Sequence, residues 1–269
     1  MGQHCCKESG SGGEAVDYAK NGEDWTLAPN LENQSPIDIE TAKAVDRSHE
    51  LKIERAYSNL TNQNFTWSNF KLACEFEGGE FTLTEGEKSK KFVASSLQFH
   101  AASEHTLDGK RHSLELQIGH KFGEEWGVLS VLFDAEKDTE NAFLAAVNPT
   151  NLTADKNERN LPLGDLFKEL SNNYYGYFPG SQTAPPCAEG VNWFIVEEVQ
   201  AMSKKQLEQF DALWKENKDF TGKGNGNYRV AQKLNNREVW KIAGAASEVV
   251  NEEKGQEEPV EHQAEEKKD

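Results

Sequence analysis

The side chains able to do chemistry in this sequence are its imidazoles, its thiols and a few carboxylates and amides set between strand-like runs. Four of the seven histidines, His100, His105, His112 and His120, fall within one stretch. A zinc site would need three or four nitrogen, thiolate or carboxylate donors converging from such elements. His112 sits in an expected turn and His120 near an expected strand end, so these rings read as hydrogen-bonded or exposed groups and not as a new metal cluster. The four cysteines are Cys5, Cys6, Cys74 and Cys187. They form no Cys-x-x-Cys pair, and adjacent Cys5 and Cys6 suit a disulfide poorly, so neither a zinc ribbon nor a disulfide framework is expected. A reducing, intracellular compartment is the plain expectation. Met1-Gly2-Gln3-His4-Cys5-Cys6 approximates the acylation pattern M-G-x-x-x-[ST], with Cys6 at the final position. Gly2 is then the myristate acceptor and Cys5 and Cys6 the palmitate acceptors. One short acyl chain binds a membrane only marginally, and an acidic chain without a polybasic patch needs the second. The expected location is therefore the cytoplasmic face of a membrane.

Elements must hold these groups in place. Phe92–His100 and Ser113–His120 alternate with period two, Val191–Val196 reads as a third strand, and Val128–Phe133 is apolar enough for a buried central strand. Ser203 and Gln206 form a capping box ahead of a helix whose Leu207, Phe210, Leu213 and Trp214 share a face. The expected architecture is a large mixed sheet with a few short peripheral helices. Residues 1–16 read as a flexible leader, 17–244 as the folded domain and 245–269 as a disordered acidic tail. That tail carries nine acidic residues against three lysines and has no aromatic residue. The net charge of -17 has the wrong sign for gripping a phosphate backbone, so nucleic acid is not an expected partner. No run approaches the ~18 consecutive apolar residues of a spanning helix. Four Asn-x-Ser/Thr triplets, at Asn33, Asn59, Asn64 and Asn151, read as chance matches in a chain without a secretory signal.

Several ordered segments carry a resemblance. Gln34-Ser35-Pro36-Ile37-Asp38-Ile39 after Trp25, Ser103-Glu104-His105-Thr106 and Gly180-Ser181-Gln182-Thr183-Ala184-Pro185-Pro186-Cys187 are three of them. Arg229-Val230-Ala231-Gln232 with Asn236-Arg237 is the fourth. Together, over roughly residues 17–244, the chain resembles the α-class carbonic anhydrases. The resemblance implies a β-rich fold, a large twisted and mostly antiparallel sheet around a conical cavity. It also implies a site in which three histidines hold Zn²⁺, whose bound water becomes the hydroxide that attacks CO₂.

Carried over without gaps, the three ligand positions fall on Gln98, His100 and Gln117. A rival register with a gap after His100 places them on His100, Ala102 and Gln117. The gapless register is preferred, because a deletion inside a buried strand turns its side chains to the other face. Either way one histidine remains, and neutral amides are poor zinc donors, so no zinc cofactor is expected. Gln98 and Gln117 instead suit a hydrogen-bonded amide network. The resemblance further implies Thr183 and Glu104 as remnants of a hydroxide-orienting pair, and Glu115 as the carboxylate that orients the third ligand. The proton-shuttle histidine, expected near residues 66–70, is absent, and Gln182 and Ala184 depart from the family's Leu and Thr. The cysteine that secreted members pair with the equivalent of Cys187 has no counterpart in Pro29–Asn33. The expectation is a carbonic-anhydrase-related pseudoenzyme, tethered to a membrane and acting through protein contacts. Two alternatives stay open: an enzyme, either a weak CO₂ hydratase through unusual zinc coordination or a hydrolase, and a small-molecule or bicarbonate sensor.

Overall fold

The computed structural model describes residues 17–68, 71–150, 152, 156–214 and 224–244. The leader with Gly2, Cys5 and Cys6, and the acidic tail, lie outside the described residues. Among the described residues the chain builds one twelve-stranded sheet, flanked by small two- and three-stranded sheets and three α-helices. Its middle runs Asn173–Ser181, Glu189–Val196, Glu125–Asp134, Leu114–Phe122, Lys88–His100 and Lys71–Glu75. Neighbours pair antiparallel except Glu125–Asp134 with Glu189–Val196, together with short edge and flanking pairs. Among the described residues no helix is long and apolar enough to cross a membrane.

The apolar run in the central strand follows from burial on both faces. Leu129, Val131 and Phe133 enter one core cluster and Leu132 the other, all fully buried. The neighbouring Leu114–Phe122 strand alternates Leu116 and Ile118 into the larger core with Glu115 and Gln117 on the opposite face. The Lys88–His100 strand departs from simple alternation. Phe92 and Ala94 face the same core as Leu97 and Phe99, because Gly119 pairs with Ser96 while His120 pairs with Ala94. Ser95 is therefore the extra residue of a β-bulge, which turns the parity of everything after it. This bulge sends Gln98 and His100 to the face away from the core.

Helix Lys204–Trp214 begins as the capping box requires. Gln206 N–H donates to Ser203 Oγ at 3.1 Å and Ser203 N–H to Gln206 Oε1 at 3.0 Å. Phe210 and Trp214 are buried, and Leu207 and Leu213 pack partly buried against the same cluster.

Two buried arginines tie the segments of the resemblance together. Arg229 Nη1 donates to Gln34 Oε1 at 2.9 Å and to the Ser35 carbonyl at 2.7 Å. Arg237 reaches the carbonyls of Gln34, Pro179, Lys233 and Leu234. Guanidinium forks satisfy several carbonyls from one side chain, which is how a turn near residue 35 and a loop near residue 232 become one unit.

Candidate functional site

Two adjacent antiparallel strands supply the centre of the site. Gln98 and Gln117 are direct cross-strand partners, with Glu115 opposite His100 two residues along. Gln98 Nε2 donates to Gln117 Oε1 at 3.0 Å. Gln117 Nε2 in turn donates to Glu104 Oε2 at 2.8 Å and Glu115 Oε1 at 3.0 Å. The chain of amides thus has a direction, because a carboxylate accepts and the amide NH₂ of Gln117 must face both.

Glu115 is fully buried and accepts five hydrogen bonds. They come from the backbone N–H of Glu104 and of His105, His105 Nδ1, Gln117 Nε2 and Ser130 Oγ, between 2.8 and 3.0 Å. Burial pushes its pKa up, but the His105 ring beside it and these donors prevail and hold it well below the usual carboxylate range. It is a fixed anion whose lone pairs are taken up by the protein itself. His105 is locked from its other side as well, with Nε2 2.8 Å from the Tyr177 hydroxyl, which donates to Ser35 Oγ at 2.8 Å.

His100 is seated differently. Its Nδ1 lies 2.7 Å from the Asn227 carbonyl, an acceptor, so Nδ1 carries the hydrogen. Its Nε2 is buried and has no hydrogen-bond partner among the described residues. Asn227 escaped the sequence reading, although it also takes the Ala101 N–H on Oδ1 at 2.8 Å and donates to the Phe99 carbonyl at 3.0 Å. The signal available was Gly226 before it. At φ +76° it approaches so closely that a Cβ would lie 2.0 Å from the Ala101 carbonyl oxygen, which only glycine permits. Ala102, the ligand position of the rival register, lies beyond the strand's end at His100.

Thr183 is buried nearby in sequence terms to Gln182, which is exposed, and Ala184, which is half-buried. Glu104 uses Oε1 to accept Arg229 N–H at 2.9 Å and Oε2 to accept Gln117 Nε2. Among the described residues no hydrogen bond joins Thr183 to Glu104, so the pair implied by the resemblance is not formed. The remaining histidines of the stretch are dispersed. His112 Nδ1 meets Asp134 Oδ2 at 2.9 Å, and His120 bridges the Ile118 carbonyl at 2.8 Å and the Tyr57 hydroxyl at 2.6 Å. Cys74 and Cys187 are both free and buried.

The family model for eukaryotic-type carbonic anhydrases matches residues 20–243. The chain belongs to that family. Among curated relatives it is 27% identical over 219 residues to alpha carbonic anhydrase 7 of Arabidopsis thaliana, covering 80% of this chain and 76% of that protein. It is 31% identical over 229 residues to alpha carbonic anhydrase 3 of the same plant, covering 81% and 76%. Among solved structures it resembles the Photobacterium profundum alpha-carbonic anhydrase, with TM-score 0.63 and 28% identity, covering 79% of this chain and 90% of that one. Dioscorin complexed with ascorbate is similar too, with TM-score 0.65 and 25% identity, covering 80% and 87%. The sheet and its short helices are thus the α-carbonic anhydrase fold.

That family implies zinc, and the donors here fit it poorly. The three carried-over positions offer one imidazole nitrogen, His100 Nε2, and two neutral amides, and Gln117 already has its oxygen and its NH₂ engaged. Among the described residues no three His, Cys, Asp or Glu side chains gather as a metal would require.

Proposed function

We propose that this carbonic anhydrase family member is a pseudoenzyme that does not hydrate CO₂ and serves as a membrane-tethered structural or protein-interaction module. The observation that carries this reading is the directed amide chain from Gln98 through Gln117 to Glu104 and Glu115. In the gapless register it stands where two imidazoles of a zinc site would be. An amide pair that satisfies two carboxylates needs no metal between them, and without zinc there is no hydroxide for CO₂. Zinc measured per mole of purified protein, with CO₂ hydration followed on the same sample, tests it. Far less than one equivalent of zinc and no rate above buffer are expected. Stoichiometric zinc with inhibitor-sensitive hydration would overturn the reading.

A second reading, a weak hydratase with unusual zinc coordination, draws on His100 Nε2, which has no partner among the described residues, and on relatives that are named carbonic anhydrases. The same measurement separates the two.

Membrane tethering belongs to the proposal through Gly2, Cys5 and Cys6, with two acyl chains giving the retention that one does not. In fractionated cells the Gly2→Ala variant should move to the soluble fraction. Equal partition of variant and parent would remove tethering from the proposal and leave the acatalytic reading intact.

A further inference from the structure

The Lys88–His100 strand changes neighbours partway along one edge. Residues up to Val93 pair with Gly79–Glu85, and residues from Ser96 pair with Lys71–Glu75. Ser95, the bulged residue, falls at the change, so the sheet forks there and a cavity of about 870 Å³ opens in the fork. Its exposed apolar lining is Val93, 49% exposed, and Ala56, which flank Glu80 in the register, while Phe76 and Ala94 beneath them are buried in the core. The Tyr57 hydroxyl is turned into the protein, donating to His120 Nε2 at 2.6 Å, because His120 Nδ1 must give its hydrogen to the Ile118 carbonyl. The ring itself stacks on Phe167 with centroids 4.1 Å apart. Gly79 keeps this arrangement, since a Cβ there would lie 2.4 Å from Tyr57 Cδ1.

The charged part of the lining has one sign. Glu75 and Glu77 are exposed on it and have no ion-pair partner among the described residues, while Glu80 is held by Lys91 at 2.7 Å. Among the described residues no lysine, arginine or histidine lines the cavity. Its size lies within the range of ligand pockets. An apolar wall beneath two unpaired carboxylates fits an aliphatic stem ending in a cation, and the chain's net charge of -17 steers such groups toward it.

We propose that this fork docks a basic peptide segment of a partner protein, one arginine or lysine stem lying on Ala56 and Val93 with its head group at Glu75 and Glu77. The proposal rests on the interaction-module reading, for which it names the partner's chemistry, but it concerns a different surface and involves no metal.

The test uses the full chain and a fluorescein-labelled hexapeptide of alternating arginine and leucine, followed by anisotropy at low salt. Saturable binding is expected. Glu75→Gln with Glu77→Gln should weaken it about fivefold, the effect of two rim charges. Glu169→Gln with Glu208→Gln, an equal charge change on exposed residues elsewhere, should leave it unchanged. Ala56→Trp, which fills the cavity from an exposed lining position, should abolish it. No saturable binding to the parent, equal loss in the two charge pairs, or undiminished binding to a folded Ala56→Trp variant would each overturn the proposal. The two charge pairs decide the matter alone if Ala56→Trp does not fold. Zinc content enters none of these readouts, so a zinc-loaded, active protein would sink the acatalytic reading without touching this one.

Discussion

Gln117 shows how one side chain decides the chemistry of a strand pair. A histidine there would offer one donor to Glu115 and a second nitrogen to a metal, whereas glutamine sends its NH₂ to both Glu104 and Glu115 and its oxygen to Gln98. Restoring imidazoles therefore tests the register directly. Gln98→His with Gln117→His should bind about one equivalent of zinc, since cross-strand partners at this spacing join His100 on one face. Ala102→His with Gln117→His should bind far more weakly, because position 102 lies past the strand. Competition with a chromogenic chelator compares the two, and the reverse ranking would refute the gapless register. His120 makes a second prediction at this scale. Burial depresses its pKa to about 3, from an ordinary imidazole value of about 6.5. The unfolded chain takes up a proton across that window and the folded chain does not, so stability falls as pH drops from about 6.5 toward about 3. His120→Gln should remove up to about 1.4 kcal/mol per pH unit of that slope, read from urea midpoints across the window. An unchanged slope would contradict the assignment.

At the scale of elements, Gln206 does more than close a capping box. Besides the Ser203 contacts, its side chain accepts the Asn141 N–H at 3.0 Å and donates to the Asn141 carbonyl at 2.7 Å. Asn141 is itself the N-cap of helix Ala142–Val147, its Oδ1 accepting from Phe143 and Leu144 N–H. The two helix starts are thus bolted through one buried amide. Ser203→Ala removes a single cap bond and should cost about 1 kcal/mol. Gln206→Ala leaves three backbone groups around residues 141 and 203 without their partner and should cost more, about 2–4 kcal/mol. Urea unfolding of the two variants gives the ranking, and equal costs would mean that the bolt contributes nothing beyond the cap.

For the molecule as a whole, the question is whether folding needs a metal. Small zinc domains fold on their ion because they lack a core. Here strands from residue 38 to residue 243 meet in two buried clusters, and Arg229 and Arg237 bind the Gln34–Ser35 turn while lying over Trp25 and Tyr177, which belong to the edge of one cluster and to the other. The thermal transition of the purified protein should therefore be cooperative and unchanged by EDTA in calorimetry. A midpoint lowered by the chelator would show that a bound metal contributes to the fold.

Local pattern made much of this legible in the sequence. Alternation in Ser113–His120, the apolar run Val128–Phe133 and the Ser203–Gln206 box each encode an element through neighbours a few residues apart, and the ordered segments around Ser35, Glu104, Thr183 and Arg229 pointed to the family. The identities of Gln98 and Gln117 were equally plain. What only the tertiary structure decided is where their atoms go. His100 is held by Asn227, 127 residues away, and Glu104 is occupied by Gln117 and Arg229, leaving Thr183 apart from it. Alternation in Phe92–His100 hid the bulge at Ser95, because the extra residue is defined only against its partner strand. Periodicity records which face of an element is buried, whereas hydrogen-bond direction, bulges and forks depend on contacts between segments far apart in the chain, which carry no local signature.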